Sequence, residues 1–288
     1  MNLTNNTLKS SCDYFIKELQ ATYDETELIQ IRQIAFAHFF GWSRTDLALN
    51  QDDVISEENT KKIIELISSL KTNKPLAQII GEWEFYGLTF SVNEHTLIPR
   101  PETEELIELI VAENKDVADC KILDIGTGTG CIAITLKSEI GKADVTAFDI
   151  SVEALKIASE NAKHNNLTVT FNQVNILEWK NQKIVDKYNV IVSNPPYIPE
   201  KERSLMHQNV LEFEPDLALF VDDEEPLIFY ETIAAFALKS LKTEGKLYFE
   251  INENYGQATK QLVIDKGFKN VCIIKDMNGK DRIVKATL

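Results

Sequence analysis

The segment Ile122-Leu123-Asp124-Ile125-Gly126-Thr127-Gly128-Thr129-Gly130 limits the fold of this chain more than any other. A short apolar run reads as a buried strand, three glycines follow at alternate positions, and a helical pattern begins at Cys131. Glycine reaches positive φ and has no Cβ, so such a loop lets a ligand approach the backbone at the carboxyl edge of a sheet. The spacing is GxGxG, whereas the dinucleotide fingerprint G-x-G-x-x-G would need glycine where Cys131 stands. That argues against NAD or FAD, and the lack of a G-x-x-x-x-G-K-[ST] element argues against phosphate transfer from ATP. A plain strand-to-helix turn would also use glycine. Asp149, however, ends the next predicted strand, where a carboxylate can accept from two ribose hydroxyls. Loop and acid together point to a nucleoside without phosphates.

The elements around the loop alternate. Strands are expected at Lys121–Ile125, Asp144–Asp149, Thr168–Val174, Tyr188–Ser193 and Lys246–Ile251, with helices at Cys131–Ser138, Val152–Asn165, Pro226–Leu241 and Tyr255–Lys266. This order predicts an α/β fold, a largely parallel, doubly wound sheet. Two final strands, Val271–Lys275 and Arg282–Ala286, flank Asn278-Gly279 as a hairpin. The first 72 residues are helical in pattern instead, with Leu28, Ile31, Ile34, Ala35 and Phe39 three or four apart. Asp24 or Thr26 can open that helix, Gly41 can end it, and Ser56 can open the next. His38 reads as a packing or surface residue, not a catalytic one. Residues 85–92 read as a hairpin around Gly87. The expected organisation is a small all-α domain over 1–74, a β-hairpin linker over 75–99 and the α/β domain over 100–288.

Charge narrows the partners. The chain carries 45 acidic against 30 basic residues, a net −15, whereas a broad grip on nucleic acid needs Lys and Arg to neutralise phosphates. Four scattered cysteines form no metal spacing and read as reduced thiols. No HExxH, Gly-x-Ser-x-Gly or calcium-loop pattern occurs, so neither a hydrolase nor a metal site is expected. Met1 to Ser11 lacks a secretory pattern, and a cytoplasmic protein is expected.

The second motif is Asn194-Pro195-Pro196-Tyr197, placed directly after the apolar strand Asn189–Ser193. Two prolines can simply end a strand. The chemical reading begins with a planar NH2 group, whose lone pair is delocalised and attacks carbon poorly. The Asn194 side-chain oxygen and a proline carbonyl can each accept one N–H and aim the nitrogen at a methyl donor, while Tyr197 can stack on the planar group. Those carbonyl dipoles also stabilise the positive charge that the nitrogen develops.

The glycine loop resembles that of class I S-adenosyl-L-methionine-dependent methyltransferases, Rossmann-like enzymes in which the acid before the glycines, here Asp124, lies near the amino-acid part of the cofactor. The resemblance implies S-adenosyl-L-methionine bound by Asp124, Gly126, Thr127, Gly128, Thr129, Gly130, Asp149, Asn175, Ile176 and Asn194, and S-adenosyl-L-homocysteine as product. The NPPY element looks like that of enzymes that methylate adenine, cytosine or glutamine amides. Pro75-Leu76-Ala77-Gln78-Ile79-Ile80-Gly81, Glu84-Phe85-Tyr86-Gly87 and Leu97-Ile98-Pro99-Arg100-Pro101-Glu102-Thr103-Glu104 resemble the HemK/PrmC family across nearly the whole chain. That resemblance implies N5-methylation of the glutamine in the Gly-Gly-Gln loop of class I peptide chain release factors. It further implies that the helical domain helps grip the factor, with Asn194, Pro195, Pro196 and Tyr197 as the glutamine pocket. Phe213-Glu214-Pro215 is also family-like, without a role beyond shaping the site. A monomer is expected.

One position departs from the pattern. Many such enzymes carry an acid near the adenine amino group, and this chain has Asn175 before Ile176, with loss of about 1 kcal/mol of charge-assisted bonding expected. Glu250, at the end of a predicted strand, reads equally as a helix-opening residue or a site residue. Two other functions stand beside the main one. An adenine-N6 methyltransferase acting on DNA or RNA would need a basic face for a flipped base. An idle adaptor would have no use for the loop glycines, Asp149 or Asn194.

Overall fold

Short polar side chains open the helices of the N-terminal region. Thr7 caps α1 (Leu8–Leu19) by accepting from the Ser10 amide, Asp24 caps α2 (Glu25–Phe40), Ser43 caps α3 (Arg44–Leu49) and Ser56 caps α4 (Glu57–Leu70). Gly41 ends α2 in the left-handed conformation, φ 68°. The sequence reading lacks a counterpart for α5 (Leu76–Ile80), a short helix between Pro75 and Gly81. The structure, a computed structural model, describes residues 7–182 and 186–288. Its residues group into two units, one running to Gly81 and including His207–Phe213, the other comprising Glu82–Met206 and Glu214–Leu288.

In the first unit, Phe15, Leu19, Leu28, Phe36, Ile63 and Leu70 form the core, and Phe15 meets Phe36 edge to face at 5.5 Å. Ile34 departs from the expected stripe and is 41% exposed, because it lies past the arc occupied by Leu28, Ile31 and Ala35. His38 is exposed and sets its ring against Phe39. The Gln78 side-chain nitrogen donates to the Phe213 carbonyl at 2.7 Å, tying the short helix Gln208–Phe213 to α5.

The second unit begins with a hairpin of β1 (Glu82–Phe85) and β2 (Leu88–Ser91), turning through Tyr86 and Gly87, both at positive φ. Phe85 and Phe90 are fully buried in its core with Leu106 and Ile107 of α6 (Pro101–Asn114). The chain then alternates through β3 (Lys121–Ile125), α7 (Cys131–Glu139), β4 (Asp144–Asp149), α8 (Val152–His164), β5 (Thr170–Gln173) and β6 (Tyr188–Ser193). Two-residue strands β7 (Ile198–Pro199) and β8 (Phe220–Val221) pair apart from the main sheet. The rest is α9 (Ile228–Ser240), β9 (Leu241–Glu250), α10 (Gly256–Asp265), β10 (Lys269–Lys275) and β11 (Asp281–Thr287).

Seven strands form one sheet in the order β10-β11-β9-β6-β3-β4-β5. The pairs among β5, β4, β3, β6 and β9 are parallel, while β11 runs antiparallel between β9 and β10. Apolar clusters cover both faces, which is what the near-continuous aliphatic runs of β3 and β6 require. Boundaries differ from expectation at several elements, β5 and β9 among them. β5 covers only Thr170–Gln173, since it has one neighbour, and β9 begins already at Leu241, with a register shift where the chain passes Glu244 at φ 60°. The order reverses at β3, whose neighbours are β4 and β6, so the carboxyl ends of these three strands surround a crevice.

Candidate active site

The crevice holds a cavity of about 290 Å³, near the lower bound of small-molecule sites at roughly 300 Å³. Its floor is the loop after β3. Gly126, Gly128 and Gly130 all take positive φ, at 77°, 55° and 82°. The amides of Gly126 and Thr127 donate to the Phe148 carbonyl, which pins the loop to the end of β4. Gly130 is fixed by crowding: a Cβ there would lie 2.8 Å from Ile134 and 3.1 Å from Ala158.

Asp149 closes the loop from the side. One carboxylate oxygen accepts from the Gly128 amide at 2.9 Å and the other from the Ser151 amide at 2.9 Å. Burial raises its pKa, against the lowering effect of those bonds. Asp124 stands behind the loop and does not line the cavity. Its side chain is fully buried; one oxygen accepts from the Thr127 hydroxyl at 2.6 Å and the other has no hydrogen-bond partner among the described residues. Burial pushes this carboxyl up to about 7, opposed by Thr127 and by the Ala133 amide at the start of α7, and reinforced by the charge of Asp149. Cys131 lines the wall as a thiol, held up at about 12 by burial.

Of the expected cofactor residues, Gly126, Thr127, Gly128, Thr129 and Asp149 line the cavity, and Gly130 lies outside it as a packing hinge. Asn175 and Ile176 line it as well, the Asn175 oxygen also capping a 3₁₀ turn through the Leu177 amide at 3.1 Å. From β6 come Asn194, Pro195 and Pro196, and the Ser193 hydroxyl ties this end to β3 by donating to the Ile125 carbonyl at 2.7 Å. Tyr197 is not on this wall. Its hydroxyl turns toward Glu250 at 3.5 Å, and its ring borders a second depression, so a stacking surface inside the cavity is not provided by this residue.

The remaining wall comes from residues 95–103, held by contacts distant in sequence. Glu214, buried, pairs with Arg100 and accepts from the Ile98 amide at 3.0 Å. Asn161 on α8 is fully buried. Its side chain accepts from the Ser91 amide at 2.7 Å and donates to the carbonyls of Ser91 and Thr129 at 3.1 and 2.9 Å, joining the hairpin to the glycine loop. The sequence reading missed Asn161, and nothing local marks it. The segment Phe213-Glu214-Pro215 is visible in the sequence, but its partner, 114 positions away, is not.

The wall fits S-adenosyl-L-methionine chemically. Glycine backbones admit close approach, Asp149 keeps lone pairs beyond the two in use, and Ala154 and Ile176 offer apolar contact to a flat ring. The Thr96 hydroxyl, on the wall and buried, has no protein partner among the described residues. No group of three or more His, Cys, Asp or Glu among the described residues could hold a metal ion, and no described helix is long and apolar enough to cross a membrane.

Residues 12–81 match the PrmC N-terminal domain and residues 103–213 the Methyltransferase small domain. The chain is 42% identical over 281 residues to the release factor glutamine methyltransferase of Flavobacterium psychrophilum, covering 96% of this chain and 98% of that one. It is 41% identical to the protein of the same name from Bacteroides thetaiotaomicron, covering 95% and 97%. A methyltransferase from Pyrococcus furiosus superposes with a TM-score of 0.52 at 19% identity, over 77% of this chain and 98% of that one, a likeness of fold.

Proposed function

The chain belongs to the family of release factor glutamine methyltransferases, and from that premise we propose that it methylates the N5 amide nitrogen of the glutamine in the Gly-Gly-Gln motif of class I peptide chain release factors. The observation that carries the reading is the meeting, across one cavity, of the glycine loop with Asn194, Pro195 and Pro196. When bound, S-adenosyl-L-methionine supplies an electrophilic sulfonium methyl and departs as S-adenosyl-L-homocysteine. Asp149 and the loop amides hold the nucleoside, and Asp124, through Thr127, sets the loop beside the amino-acid part. The Asn194 side-chain oxygen and the Pro195 carbonyl each accept one N–H of the glutamine amide, which aims its nitrogen and limits its rotation. The same dipoles stabilise the charge on nitrogen as it bonds to carbon, before its proton leaves to solvent. No strong base is required at the start.

The helices of the first unit contribute to gripping the release factor, which the acidic chain meets as a protein and not as a nucleic acid. The enzyme works in the cytoplasm as a monomer. Mass spectrometry of a recombinant release factor incubated with protein and cofactor tests the reading, beside a Gln-substituted factor and a DNA control. One methyl mass on the Gly-Gly-Gln glutamine is expected, absent from the substituted factor and from the Asn194→Ala enzyme, which still binds cofactor. Methylated DNA with an unmodified release factor would overturn the substrate and leave the fold intact.

A further inference from the structure

Glu250 is a buried acid that the reaction described above does not use. It ends β9, and the parallel register that pairs Ser193 with Phe249 sets it level with Asn194 at the end of β6. Its exposure is 2%, and burial raises its pKa. One oxygen accepts from the Thr103 hydroxyl at 2.7 Å; the other faces the Tyr197 hydroxyl at 3.5 Å. The neighbouring cation, Arg282, is committed to Asp276 at 3.1 Å, itself buried. A carboxyl taken out of water without an ion-pair partner destabilises the fold, and an apolar side chain of like volume would not.

The place of Glu250 gives the buried carboxyl a use. Thr103 lines the cofactor cavity, Tyr197 lines the second depression, and Glu250 is the polar link between them. Around it, the Tyr230 hydroxyl donates to the Glu250 carbonyl at 3.2 Å, and the Asn252 side-chain nitrogen donates to the Tyr197 carbonyl at 3.3 Å. The strand end and the motif are thereby laced together.

We propose that Glu250 is a positioning residue for methyl transfer: it holds Tyr197, and with it the Asn194–Tyr197 segment, in register with the cavity wall that Thr103 supplies. It touches neither cofactor nor acceptor. The inference rests on the reading of Asn194, Pro195 and Pro196 as the acceptor pocket.

The test compares Glu250→Leu, Glu250→Gln, Tyr197→Phe and the double variant Glu250→Leu/Tyr197→Phe. Displacement of a reacting group by about 1 Å lowers rate on the order of 100-fold, so Glu250→Leu lowers kcat by roughly 30- to 100-fold with cofactor Kd within about threefold. Glu250→Gln, which still accepts from Thr103 and can donate to Tyr197, recovers most of the rate. The double variant is no worse than Glu250→Leu, because contacting residues on one path are not additive. Hydrogen exchange of the peptide spanning residues 193–199 gives a substrate-free readout, faster in Glu250→Leu and near wild type in Glu250→Gln. Additive rate losses, or unchanged exchange in folded Glu250→Leu, would overturn the proposal. If wild-type protein methylates no release factor, the functional reading fails by itself, and the exchange arm still decides the role of Glu250.

Discussion

The carboxylate of Asp149 holds the Gly128 amide at 2.9 Å, so the acid expected to grip the nucleoside also fixes the loop beneath it. Loss of this side chain therefore removes a ligand contact and a loop anchor together. Asp149→Ala should weaken S-adenosyl-L-methionine binding by about 100-fold, equivalent to roughly two charge-assisted hydrogen bonds. Asp149→Asn, with one acceptor oxygen left, should lose about tenfold. Calorimetric titration reads both, and equal affinity in Asp149→Ala and wild type would remove Asp149 from the site.

Asp124 makes stability fall with rising pH. Its carboxyl is raised from the ordinary 3.8 to about 7 by burial, so between those values the native state holds a proton that the unfolded chain has released. Its stabilising contribution is complete below about pH 4 and is lost as pH rises to about 7. Relative to Asp124→Asn, wild type should lose on the order of 1 kcal/mol per pH unit across that window and then level off. Urea unfolding of both proteins at pH 4.5, 6 and 7.5 measures the difference; a constant difference would contradict the assignment.

Gly130 and Gly128 should separate stability from binding. At Gly130 a methyl group would press on Ile134 and Ala158 at φ 82°, whereas at Gly128 it would meet nothing within 4 Å at φ 55°. Gly130→Ala should cost about 3 kcal/mol, the left-handed penalty plus crowding. Gly128→Ala should cost about 1 kcal/mol from conformation alone and act mainly on cofactor affinity. Thermal unfolding followed by titration ranks the two, and a larger loss of stability at Gly128 would be inconsistent with the packing.

Glu214 couples two wall segments. Glu214→Ala removes the acceptor of the Ile98 amide and the partner of Arg100, and should destabilise the fold by about 2 kcal/mol. Glu214→Gln keeps one acceptor and should lose about half as much. Because Arg100 is partly solvent-exposed, added salt should screen its pair with Glu214 and so narrow the gap between wild type and each variant, leaving the gap between the two uncharged variants unchanged. Denaturant titration checks the order, which must be Ala below Gln below wild type.

Legibility in the sequence follows the range of the interactions. The glycine loop could be read because a sharp turn demands glycine locally, and Gly41, Asp24 and Ser56 because a cap acts within three or four residues. Helix α5 escaped notice despite Pro75 and Gly81, since five residues give too little periodicity. Tyr197 was readable as an aromatic beside the acceptor motif, but its direction was not, because that depends on Glu250, which lies 53 positions away. Thr103 and Glu250 are 147 apart, and Asn161 and Ser91 are 70 apart. Such pairs share no local pattern; only strand order brings them together.

Strand order also sets a timetable for synthesis. β10 lies at the outside of the sheet and its sole neighbour there among the described residues is β11, which itself must slot beside β9. As the polypeptide emerges in order, β10 appears with its docking partner still unmade, while the five parallel strands can already assemble. Until β11 arrives, the flank of β9 stays open as an unpaired edge and invites association with other nascent chains. The hairpin at Asn278-Gly279 brings β11 back within a few residues, which keeps that exposed interval short.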